Sequence, residues 1–162
     1  MATTDTKSDT EFQHVALERH DHVAVITLQR PDRLNALNRQ MGLELHEALD
    51  QLAGEFPEIR VVVITGAGLG FCSGADVGDM PARMAKGGDR NPKTSDDGPS
   101  ITMKLAPHLR EIPQPVIAAV NGVAAGAGLG IALSCDIRIA SDAARFTSVF
   151  VKRSLVDRKS VV

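Results

Sequence analysis

The sequence predicts a single α/β domain, and three observations carry that prediction. Apolar, β-branched runs at Val23–Gln29, Val61–Thr65 and Val116–Val120 alternate with segments of helical period. The string Gly-Ala-Gly-Leu-Gly occurs twice, at residues 66–70 and 126–130, in each case after such a run. The order strand–strand–helix, then strand–loop–helix, reads as a repeating ββα-like unit. A chain of 162 residues, 43% of them apolar, is the size of one domain with a real core. It has no Trp or Tyr and five Phe, so that core must be aliphatic.

The first eleven residues, Met1–Glu11, are polar and read as a disordered tail, with neither a secretory leader nor a membrane-crossing run. Phe12–Glu18 and Val23–Gln29 read as strands joined by a hairpin turn at His20-Asp-His22. Both faces of the second strand are apolar, which predicts burial on both sides. His20 and His22 have no third ligand clustered near them, so no metal is expected. Arg30–Asn38 reads as a loop ending in the N-cap Asn38. Met41, Leu45, Ala48, Leu49 and Leu52 then repeat at helical spacing, while Glu44, Glu47 and Gln51 fall largely off the stripe. Gly54 ends this helix, with Pro57 beyond it.

Pro81–Pro99 is rich in Gly, Pro, Lys, Asp and Ser and reads as a flexible surface segment. Ser100–Arg110 has Ile101, Leu105 and Leu109 on one helical face, weakened by Pro107. Asn121–Gly122 is a turn signal, and Ile137–Ala140 and Arg145–Thr147 read as short strands. Net charge is −2, which favours no nucleic acid or other polyanion as a partner. Cys72 and Cys135 lie in apolar contexts and form no disulfide framework, which fits a reducing cytoplasm.

The two Gly-rich stretches are where chemistry is expected. A strand, a tight Gly turn and a helix N-terminus together aim backbone N–H groups at negative charge. Two such units could place two sets of donors at one site, as in an oxyanion hole, although turns of this kind also serve close packing alone. A dinucleotide fingerprint fails, because G-x-G-x-x-G would need Gly where Phe71 and Ile131 stand. A P-loop fails as well, since no Lys-Ser/Thr follows either loop.

Four pieces now coincide: Arg30-Pro-Asp-Arg-Leu-Asn-Ala-Leu-Asn38, Val61-Val-Val-Ile-Thr-Gly66, Phe71-Cys-Ser-Gly-Ala-Asp-Val77, and Pro115-Val-Ile-Ala-Ala-Val-Asn-Gly122 with Gly126–Asp136. In this order and spacing they resemble the crotonase family, also called the enoyl-CoA hydratase/isomerase superfamily. The resemblance implies a crotonase-like spiral of repeated ββα units over residues 12–152, with the active site between two sheets. It leaves a divergent end at 153–162 and lacks the C-terminal helical part, which reads as a truncated chain. It also implies an acyl-CoA thioester as substrate, no separate cofactor, no membrane partner, and a homotrimer or higher oligomer.

By the same resemblance, the N–H groups of Ser73 and Ala127 would hold the thioester oxygen as an enolate forms, while the Ser73 hydroxyl would not act as a nucleophile. Leu34, Ala36, Gly74, Ala75, Asp76, Val77, Val123 and Gly126 would line the CoA and acyl sites. Leu34 stands where a basic residue is usual, and Arg33 beside it offers a positive charge. Asp76 is expected to cap a helix rather than to catalyse. Hydratases of the family use two Glu, which should align at Gly130 and Phe150, and neither carries a carboxylate. The implied chemistry is therefore isomerase-like, with Asp157, in Phe150-Val-Lys-Arg-Ser-Leu-Val-Asp157, as the acid. A non-catalytic remnant or interaction subunit is the alternative.

Overall fold

The computed structural model describes residues 12–76 and 101–148. Strands β1 (Val15–His20) and β2 (Val23–Leu28) form the expected antiparallel hairpin, turning at Asp21, where φ is +51°. β1 starts later than Phe12, because Gln13 N–H and His14 N–H donate to the Glu44 carboxylate at 3.1 and 2.7 Å. Helix α1 spans Arg39–Gly54, and Asn38 Oδ1 caps it by accepting from Met41 N–H at 2.8 Å. Its apolar stripe is the predicted one, with Met41, Ala48 and Leu52 fully buried. Glu44, expected to lie off that stripe, is buried and spends its charge on the start of β1.

After α1 the chain repeats a simple step. It lays one strand in a five-stranded sheet, then turns a corner and lays a short strand in a three-stranded sheet. β3 (Val61–Gly66) is followed by β4 (Gly70–Cys72). β5 (Val116–Val120) is followed by β6 (Val123–Ala125) and helix α3 (Ala127–Ser134). β7 (Ile137–Ala140) is followed by β8 (Arg145–Thr147). The large sheet runs β1-β2-β3-β5-β7 and the small one β4-β6-β8; every pairing after the hairpin is parallel. Between them, a 3-10 turn at Ile101–Lys104 leads into α2 (Leu105–Glu111), which holds Pro107 in its first turn, where no backbone N–H is needed.

Side chains lock one corner to the next. Asn35, fully buried, donates from Nδ2 to Ala67 O and Gly70 O at 2.9 and 2.8 Å. Asn121 Nδ2 donates to Gly66 O and Gly68 O at 2.8 and 2.9 Å, and Ser141 Oγ donates to Asn121 O at 2.9 Å. Each corner thereby satisfies carbonyls that no strand could reach. The core lies between the large sheet and the helices: Ala24, Ile26, Leu28, Val62, Ile64, Val116 and Ala118 meet α1 and Leu105. β2 is fully buried on that face only, and the face carrying Val23, Val25 and Thr27 is partly open. β7 and β8 are exposed along their length, with Ile137, Ile139 and Phe146 in solvent.

Candidate functional site

The chain leaving β4 runs beside the loop that precedes α1. Ser73 N–H donates to Leu34 O at 2.9 Å, Leu37 N–H to Gly74 O at 2.8 Å, and Asp76 N–H to Leu37 O at 2.8 Å. This is a parallel bridge between Leu37 and Ala75. In such a bridge the groups of residues 74 and 76 face the partner, so the N–H of Ala75 points to the opposite side. Gly74 itself packs against the start of α3. A Cβ built on Gly74 would stand 2.8 Å from Ala125 O and 3.5 Å from Ala127 N. Gly74 sits at φ +103°, and only a glycine fits both that angle and that approach.

Ala127 opens α3, so its N–H has no intrahelical acceptor. Gly126 before it sits at φ +51° and offers no side-chain cap; its own N–H donates to Thr147 O at 3.0 Å. Among the described residues, neither Ala75 N–H nor Ala127 N–H has a hydrogen-bond partner. The arrangement therefore presents two donors from two different corners.

Ser73 departs from its expected role. Its N–H is taken by Leu34 O, and its Oγ donates to Arg33 O at 3.2 Å, so both groups face the 30–37 loop. The Asp76 carboxylate accepts from Arg30 Nη2 at 2.9 Å, in a pair whose side chains are 16% and 18% exposed, and the helix it was expected to cap would lie outside the described residues. Arg30 Nη1 donates in turn to Ala36 O. This guanidinium ties together the two chains of the bridge that orients Ala75.

Leu34 is exposed and left-handed, at φ +48°, beside Gly70. Ala36 is half-buried, and Val123 is half-buried in β6 between Gly70 and Arg145. Gly130 lies in α3 with open space where a side chain would project. Val77, Phe150 and Asp157 lie outside the described residues. Sequence reasoning gave Arg30 and Asn35 no role of their own and read Asn121 only as part of a turn. A legible signal existed for the asparagines: each stands beside a Gly or small residue at a turn, and Asn35 adopts φ +54°.

His22 Nδ1 meets Glu58 O at 2.8 Å and His20 Nε2 meets Glu18 at 3.3 Å, so both serve local contacts. No group of three potential metal ligands gathers among the described residues, and no helix among them is long and apolar enough to cross a membrane. Both cysteines are free and buried. Burial pushes the Cys72 thiol up from 9.0 to about 11 and the Cys135 thiol to about 12, with Arg138 partly opposing the second shift. Unfolded thiols ionise near 9.0, whereas these folded ones stay protonated. Stability is thus full below pH 9 and is expected to fall as pH rises toward about 11 and 12. Urea midpoints measured up an alkaline pH series check this; a midpoint flat through that range would contradict it.

A family model described as enoyl-CoA hydratase/isomerase matches residues 18–161. The chain is 40% identical over 141 residues to 1,2-epoxyphenylacetyl-CoA isomerase of Escherichia coli, covering 83% of this chain and 50% of that protein. It is 39% identical over 137 residues to a short-chain-enoyl-CoA hydratase of Clostridium acetobutylicum, covering 84% and 49%. Among solved structures, an enoyl-CoA hydratase fold from Streptomyces coelicolor superposes with a TM-score of 0.76 at 36% identity, over 96% of this chain and 56% of that one. The chain spans about half the length of the relatives it matches.

Proposed function

Because the chain belongs to the enoyl-CoA hydratase/isomerase family, we propose that it binds an acyl-CoA thioester and stabilises the enolate of that thioester between two backbone N–H groups. The observation that carries this reading is the pair of donors on Ala75 and Ala127 that have no partner among the described residues, on segments that meet where Gly74 packs against the start of α3. Ala75 takes the place first expected for Ser73, whose N–H is already used. Charge that builds on the thioester oxygen as a proton leaves the α-carbon would meet donors that need no rearrangement, and each such donor contributes about 10²–10³-fold in rate. Arg30 and Asp76 are positioning residues that hold the Ala75 strand against residues 36–37.

Proton transfer is the open half of the reaction. Gly130 offers no carboxylate, which argues against hydration by two Glu and favours isomerase-type transfer with Asp157 as the acid. That same Gly130 favours a second reading, binding without turnover. The test uses a saturated acyl-CoA, free CoA and an enoyl-CoA. The saturated thioester is expected to bind saturably and more tightly than free CoA, with its carbonyl stretch moved to lower frequency. Turnover of the enoyl-CoA that is lost in Asp157→Asn, with binding retained, supports the isomerase reading. Binding without turnover supports the second. Equal affinity for free CoA and thioester, with no carbonyl shift, overturns the donor assignment.

A further inference from the structure

Away from the Gly-rich corners, two histidines meet between helices. His46 on α1 and His108 on α2 bring their Nδ1 atoms to 2.6 Å. Their ring planes differ by 15° and their centroids stand 4.8 Å apart. With one atom of each ring so close, that centroid separation requires both Nδ1 atoms to lie nearly on the line between centroids. The rings are therefore edge to edge and close to coplanar, the geometry of an in-plane N–H···N bond rather than of face stacking.

The outer nitrogens fix the proton count. His46 Nε2 lies 3.0 Å from Ile101 O, which can only accept, so that nitrogen carries a hydrogen. His108 Nε2 lies 3.1 Å from the Asp50 carboxylate and carries one as well. Between the two Nδ1 atoms one proton makes a bond; none leaves two lone pairs facing, and two leaves opposed N–H groups. Three protons on four ring nitrogens give the two rings together one positive charge. A bridging metal does not fit, since two N–metal bonds of about 2.0 Å at tetrahedral angles hold their nitrogens farther apart than this.

We propose that His46 and His108 form a proton-sharing dyad, one proton held in plane between the two Nδ1 atoms that joins α1 to α2. Asp50, one turn beyond His46, supplies the opposing charge. Among the described residues, the other charged side chains flanking the dyad are Glu47 on α1, Lys104 one turn before His108, and Arg110 and Glu111 after it, all exposed and open to screening by salt. α2 also packs on α3, so the joint stands one helix away from Ala127.

The test is imidazole ¹⁵N–¹H NMR on the full chain across neutral pH, with urea unfolding of wild type, His46→Gln, His108→Gln and the double variant. The expected spectrum has both Nε2 atoms protonated and one shared, strongly downfield Nδ1 proton. The expected double-mutant cycle shows coupling of about tenfold in the folding constant. Two neutral rings without a shared proton overturn the proposal, and so does a cycle that shows no coupling. The spectrum decides the matter even if a variant fails to fold.

Discussion

Ala127→Pro is expected to leave the fold intact and to abolish stabilisation of a thioester enolate. Residue 127 is the first of α3, where proline is well tolerated because its missing N–H has no helical partner and its fixed φ suits a helix start. The preceding residue is Gly126, the one residue type flexible enough to precede a proline at this φ. What the substitution removes is the N–H hydrogen of Ala127, whose nitrogen lies close to Gly74. Loss of one preorganised donor costs about 10²–10³-fold in rate where there is turnover. Where there is only binding, the carbonyl shift of the bound thioester is lost. Circular dichroism should match wild type. A variant that folds normally and polarises the carbonyl as wild type does would remove Ala127 from the site.

Two glycines of the same helix should respond in opposite ways to the same methyl group. A Cβ on Gly128 would stand 2.1 Å from Cys72 O and 2.7 Å from Cys72 Cβ, so α3 approaches β4 with no room for it. A Cβ on Gly130 would meet nothing within 4 Å. Helix propensity alone favours alanine at both positions by up to about 1 kcal/mol. Gly130→Ala is expected to realise that gain. Gly128→Ala is expected to lose about 3 kcal/mol or more, because the obstacle is a backbone carbonyl in a paired strand and cannot rotate away. Native domains hold only about 5–15 kcal/mol in reserve, so the second loss is a large fraction. Denaturant midpoints of the two variants, measured side by side, check both signs.

What could be read from the sequence depended on the length over which each signal repeats. α1 was legible with its cap and its end, because Asn38, five spaced apolar residues and Gly54 agree. β7 and β8 were placed at their observed bounds. β4 and β6 were not read as strands: three residues such as Gly-Phe-Cys or Val-Ala-Ala carry no period, and parallel partners far along the chain alone make them strands. The family was legible from its motifs. That the Ser73 N–H is already taken was not, because it turns on which side of a backbone bridge each N–H faces, and that is set by Leu34 and Leu37 across the gap. The ion pair of Asp76 was not legible either, because its partner Arg30 arrives from a loop distant in sequence. The contact between His46 and His108 is likewise invisible until α1 and α2 dock.

The small sheet is parallel throughout, and this sets when in folding the two donors can exist. A parallel pair cannot be made by a hairpin; β4 finds β6 only after the long intervening segment has been closed into a loop, an entropic cost that comes before any pairing energy returns. The β1–β2 hairpin and α1 rest on local contacts and can form early. Gly74 meets Ala127 only once corners from three stretches of the chain are stacked. Donor alignment is therefore a late event in folding and an early casualty of partial opening: hydrogen exchange should show the amides of β4 and β6 opening at lower free energy than those of β2 and β3.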